Sequence, residues 1–131
     1  MRKPTRDSRH GAAVVELAVT LPLFLLLLAG VLNVCQTLHV KDAATLAAYE
    51  SGRLAARRDV TASETRSRCE ALLKDRGITN AQISLTPASF ANLVSGAEIT
   101  IRVTASLTKN VITLLIPADV TVSADATVLR E

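Results

Sequence analysis

The chain has 131 residues, room for one modest domain and one further segment. Hydrophobic residues make up 49% of it but aromatics only 2%, with no Trp, so a soluble core must be small and built from Ala, Thr and Val. The net charge of +3 resides in residues 1 to 11, where Arg2, Lys3, Arg6 and Arg9 face Asp7 alone; beyond them acids and bases cancel, which argues against a nucleic-acid-binding face.

That basic leader, residues 1–11, runs straight into AAVVELAVTLPLFLLLLAGVLNV, residues 12–34, in which Glu16 is the only charge. At helical rise this run spans about 34 Å, enough for a hydrocarbon core of about 30 Å. A domain of this size has little with which to surround such a run on every side, so a membrane helix is expected, not a buried core helix. The cations before the run, against Lys41 with Asp42 after it, place the N-terminus in the cytoplasm. The run is long for the core of a secretory signal, and no small-x-small cleavage site follows. Pro22 removes a backbone donor inside the run and is expected to kink or loosen the helix there.

Residues 35–58 read as a continuation of the helix, with Ala43, Leu46, Ala47 and Leu54 on it and Gly52 as a weak point. Tyr49 is expected to pack. A break follows at Asp59–Glu64, where Thr61 and Glu64 have capping-box spacing. A second helix is expected to run to about Arg76 and stop at Gly77, with a thin apolar face of Cys69, Ala71, Leu72 and Leu73. Arg57, Arg58, Arg66 and Arg68 make a small basic group without aromatics, the pattern of a solvated helix end.

From Asn80 the period changes to two. Ala81, Ile83 and Leu85 alternate with polar residues, as do Ile99, Ile101, Val103, Ala105 and Leu107, and again Val120, Val122, Ala124, Ala126 and Val128. Three one-faced strands imply an antiparallel sheet covered on one side by the helices. Pro87 and Ser95-Gly96 bound the first connection. Val111 to Ile116 (VITLLI) is apolar without alternation, either a loop packed on the sheet or a surface for a partner or the membrane. The expected fold is thus α+β and membrane-anchored: a long N-terminal transmembrane helix, a short second helix and a three-stranded antiparallel sheet, with residues 59–131 forming an extracytoplasmic domain.

No catalytic constellation is present. His10 lies in the leader and His39 stands alone, and there is no nucleophile elbow, phosphate loop, paired-Cys zinc pattern or calcium loop. His39 and Asp42 share a helix face, a spacing usually left solvated. No metal, cofactor, small-molecule substrate or nucleic acid is expected. Cys35 and Cys69 are too few for a disulfide scaffold, and the helix between them sets them too far apart to bridge.

The motif with chemistry in it is Arg9-His10-Gly11-Ala12-Ala13-Val14-Val15-Glu16. A short basic leader ends in Gly, a small residue follows, and an acid stands five positions after the Gly, just before the apolar helix. This resembles the processing site of type IV pilin-like proteins. Together with GAAVVELAVTLP (Gly11–Pro22), the Leu-rich run and AAYESGRLAA (Ala47–Ala56), it is similar to the TadE-like family of minor pseudopilins of the tight-adherence (Flp) pilus system. Leu17, Asn33 and Tyr49 depart from that family's commonest residues, and Ala12 replaces the Phe usual in secretion-system pseudopilins. The resemblance implies a subunit of the bacterial inner membrane, cut by a prepilin peptidase between Gly11 and Ala12. It further implies assembly with other pseudopilins or pilins through the lipid-embedded helix, with Glu16 pairing with the new amine of Ala12. Glu16 left at the interface without a role is the plainer reading of the residue itself. The competing reading of the chain is an uncleaved, single-pass binding module of the cell envelope.

Overall fold

In this computed structural model residues 7–107 and 120–131 are described, with side chains from residue 11 onward. Helix α1 runs from Asp7 to Ala55 and α2 from Ala62 to Asp75. Strands β1 (Ala81–Thr86), β2 (Glu98–Ser106) and β3 (Thr121–Leu129) follow. They form one antiparallel sheet in the order β1-β2-β3. The expected α+β architecture is therefore present, with every strand within a residue or two of its sequence-derived limits. The VITLLI stretch, Val111 to Ile116, lies outside the described residues.

At 49 residues α1 is about 74 Å long, more than twice the thickness of a hydrocarbon core. Its two halves have different surroundings. Residues 11 to 28 are exposed all round, including Val14, Leu17, Leu23, Phe24 and Leu27. From Val40 the helix acquires a buried face of small residues: Ala43, Ala44, Ala47, Ala48, Ser51, Gly52 and Ala55. That face receives α2, β2 and β3. The second half of α1 is thus part of the soluble core, and it is small-sided because both the sheet and a second helix must approach its backbone.

Pro22 sits inside α1, which continues through it without a break. The helix ends at Ala55, three residues short of the expected limit, in a turn where the Arg57 N–H donates to the Leu54 carbonyl. Gly52 is not the weak point its helix propensity suggested. It is buried, and a Cβ built on it would meet Val128 and Ala126 of β3 and Ile101 of β2, so its missing side chain is what lets the sheet cross there. Tyr49, expected to pack, is instead 60% exposed and off the buried face of α1.

The caps of α2 follow the sequence signals. The Glu64 N–H donates to Thr61 Oγ1 at 3.3 Å, and the Thr61 N–H donates to Glu64 Oε2 at 2.8 Å, a complete capping box. At the other end Gly77 has φ +76°, and the Ile78 and Gly77 N–H groups donate to the Leu73 and Lys74 carbonyls. This is a Schellman motif, with Leu73 and Ile78 buried beside it. The buried face of α2 is Thr65, Cys69 and Leu73; Ala71 points outward, because its position is off the stripe that meets α1.

In the sheet Ile83 opposes Val103 and Leu85 opposes Ile101, while Ile101 opposes Ala126 and Val103 opposes Ala124. Ile99, Ile101 and Val103 are fully buried in the central strand. Each contributes about 1.5–3 kcal/mol by leaving water. The polar face carries Arg102 and Asp125 as an opposed pair, joined by Nε–Oδ1 and Nη2–Oδ2 bonds of 2.8 and 2.9 Å. The alternation in all three strands is therefore a true inside–outside pattern.

Candidate functional site

The segment singled out by the sequence occupies the start of α1. Gly11, Ala12, Glu16 and Pro22 all lie on this one helix and all are exposed. Gly11 is helical, in the second turn, and nothing lies within 4 Å of where its Cβ would be. A protease needs an extended strand, so reaching the Gly11–Ala12 bond requires the first turns to unwind. Glycine lowers that cost by roughly 1 kcal/mol relative to alanine.

Ala12 and Glu16 are four residues apart, neighbours on one helix face. Among the described residues no cationic side chain forms a salt bridge with Glu16. Thr20 Oγ1 donates to the Glu16 carbonyl at 2.9 Å, which satisfies the hydroxyl inside an apolar stretch. Around and beyond these residues the helix offers lipid-compatible surface, long and apolar enough to cross a membrane. Leu23, Leu26, Leu27, Gly30, Val31 and Val34 line a shallow apolar groove along one side of it. Gly30 removes the side chain at its centre, the kind of position that allows another helix to approach closely.

Toward the end of this run α1 turns polar on one side. Asn33 is buried, and among the described residues neither its Nδ2 nor Gln36 Oε1 has a hydrogen-bond partner. Thr37 Oγ1 donates to the Asn33 carbonyl at 2.8 Å. Cys35 is exposed and Cys69 buried, and both are free thiols. Burial pushes the Cys69 thiol above its ordinary value, against a smaller opposing effect of the hydrogen bond with Ser51. His39 Nε2 lies 3.4 Å from the Arg76 carbonyl at the end of α2. Its neighbour Asp42 is exposed. Among the described residues no three His, Cys, Asp or Glu side chains gather as a metal site.

Sequence reasoning missed a second constellation, at the far end of the domain. The C-terminal residues are tied to the end of α1: the Glu131 N–H donates to the Ala56 carbonyl at 2.9 Å, and Arg58 Nε donates to the Glu131 carbonyl at 2.6 Å. Arg130 is buried against Phe90, its guanidinium carbon 5.4 Å from the ring centroid. Arg130 and Phe90 are distant in sequence and belong to no motif, so no local signal joins them.

The comparisons fall on the first of these two regions. The family model described as TadE-like protein matches residues 11–53. The match begins at Gly11, covers the exposed apolar half of α1 and most of its buried half, and stops before α2. No curated protein and no solved structure matches the chain.

Proposed function

With residues 11–53 TadE-like, we propose that the chain is a minor pseudopilin subunit of a tight-adherence pilus or secretion assembly. It crosses the bacterial inner membrane once, N-terminus in the cytoplasm and α+β domain outside. A prepilin peptidase cuts it after Gly11, and it joins other pseudopilins or pilins through the apolar half of α1. The observation that carries this reading is the family match, which starts at Gly11, where the sequence passes from the basic leader to the apolar run.

The physical chemistry supports each step. An exposed apolar helix of this length is stable in lipid or against other apolar helices, and unfavourable in water. The leader carries the whole net charge, so cleavage leaves a neutral mature chain. The cations also hold the Gly11–Ala12 bond at the cytoplasmic edge of the bilayer, where a membrane peptidase can reach it. The rigid continuation of α1 then carries the folded domain away from the membrane surface as one piece with the anchor.

N-terminal sequencing of the membrane-extracted protein, made with its cognate peptidase, tests the proposal. The expected mature chain begins at Ala12, and Gly11→Leu blocks the cut. A mature chain that still begins at Met1 or Arg2 in its native host refutes processing and makes the protein an uncleaved anchored module.

A further inference from the structure

A polar pocket of about 400 Å³ lies at the membrane-distal end of the domain, between the end of α1, the first turn of α2 and the 88–91 loop. Arg130 lines it and is only 8% exposed. Its Nη2 donates to the Arg58 carbonyl at 2.8 Å, and its guanidinium stacks on Phe90. Its Nη1 is buried and has no hydrogen-bond partner among the described residues. Among the described residues no carboxylate forms a salt bridge with Arg130. A buried guanidinium lacking both an anion and one of its hydrogen bonds is an unfavourable arrangement unless something else completes it.

Further donors line the same pocket. Ala62 and Ser63 open α2, where the first N–H groups have no partner within the helix. The capping box uses the Glu64 N–H, and the Thr65 N–H donates to the Thr61 carbonyl. No described acceptor takes the N–H of Ala62 or Ser63. Ser89 Oγ accepts from the Ala91 N–H at 3.5 Å, which leaves its own O–H to donate into the pocket. Arg58, whose Nε already donates to the Glu131 carbonyl, adds a second positive charge. The acid on the rim, Asp59, has Arg57 as its partner at 3.7 Å.

We infer that this pocket is a carboxylate-binding site, filled by an acidic side chain of a protein partner. The buried Arg130 guanidinium supplies the positive charge, and the Ala62 and Ser63 N–H groups at the α2 N-terminus supply the donors. Val60, Ala62 and Phe90 supply apolar surface for the stem of the side chain, which a bare phosphate would not use. Lipid headgroups are out of reach, because the pocket stands about 30 Å along α1 from Val34. The inference is independent of processing at Gly11 and of assembly through the membrane helix.

The test is an amide-shift titration of the full chain in detergent micelles with three probes: a capped Ala-Glu-Ala tripeptide, its Ala-Gln-Ala counterpart, and inorganic phosphate. The Glu peptide is expected to shift the Ala62 and Ser63 amides saturably, the Gln peptide not at all, and phosphate more weakly. Arg130→Gln should weaken Glu-peptide binding at least about tenfold. Ala62→Pro provides a variant that keeps the fold: proline is favoured at the first helical position, and Thr61 before it already has φ −93° and ψ 160°. Loss of that one N–H should weaken binding several-fold. Absence of saturation, equal response to the Gln peptide, tighter binding of phosphate, or unchanged binding in both variants each overturns the inference.

Discussion

A Cβ on Gly52 would stand 3.2 Å from Val128 Cγ1, closer than ordinary contact, so helix α1 and strand β3 cross at a helical position without a side chain. The consequence is a size limit. Gly52→Ala gains about 1 kcal/mol of helix propensity and needs Val128, which is only half-buried, to give by a few tenths of an ångström. Its stability is expected within about 1 kcal/mol of the parent. Gly52→Leu must displace both Val128 and Ala126 and is expected to cost about 3 kcal/mol or more. Urea unfolding of the full chain in detergent reads both; a Gly52→Leu protein as stable as the parent would show that the sheet does not lie against the helix there.

Cys69 is expected to alkylate far more slowly than an unprotected thiol. It is fully buried between α1 and α2, and burial raises its pKa, so both access and thiolate fraction are low at neutral pH. Iodoacetamide labelling followed by peptide mass mapping should show Cys69 unmodified in the native protein and modified in urea. Labelling at Cys69 equally fast in both conditions contradicts the packing of α2 on α1.

Acid should loosen the domain, through Glu64 and Asp125. The Thr61 backbone and hydroxyl hold the Glu64 carboxyl below its ordinary value of 4.5, and the Arg102 guanidinium holds Asp125 below 3.8. Both groups bind protons more tightly unfolded than folded. Their stabilisation is present above the unfolded values and is lost as pH falls through the lower, folded ones. The midpoint of urea unfolding should therefore drop below about pH 4.5, the reference value of Glu64. Thr61→Ala, which removes a cap generally worth about 1 kcal/mol, should flatten the Glu64 part of that drop. An unfolding midpoint that stays constant between neutral pH and pH 3 would rule out both contributions.

The parts of this fold that were legible are those whose signals are local. The Thr61–Glu64 box and Gly77 set the limits of α2, because caps depend on residues within a single turn. The alternation through Ile99, Ile101 and Val103 identified the buried face of β2, because a strand has only two faces. What escaped was tertiary. Gly52 reads as a helix weakness until the sheet is laid across it, and Tyr49 reads as core until α1 proves to have small residues on its buried side. For the candidate sites the same division holds. Gly11, Ala12 and Glu16 form a contiguous pattern, whereas Arg130 meets Phe90 and the start of α2 only in the folded chain.

Glu16 is expected to serve assembly and not insertion or folding. It is exposed on α1, remote from the buried face that begins at Val40, so the α+β domain does not depend on it. An acid in an apolar span costs up to about 2.5–3.5 kcal/mol on insertion scales, less near the interface, so removing it should not impair insertion. Cleavage after Gly11 would create an ammonium group on Ala12, one turn away on the same face, and pairing would offset part of the cost of placing both charges near lipid. Within one chain the pair would be a neighbour contact; in a packed assembly the amine of one subunit would meet Glu16 of the next and fix their axial register. Glu16→Ala should therefore insert and be processed at parental levels yet fail to co-purify with partner pseudopilins or to support piliation. Glu16→Gln keeps the shape without the charge and should fail in the same way. Normal assembly of Glu16→Ala, at unchanged membrane level and processing, would reduce the acid to a bystander and leave register to the apolar surface around Gly30.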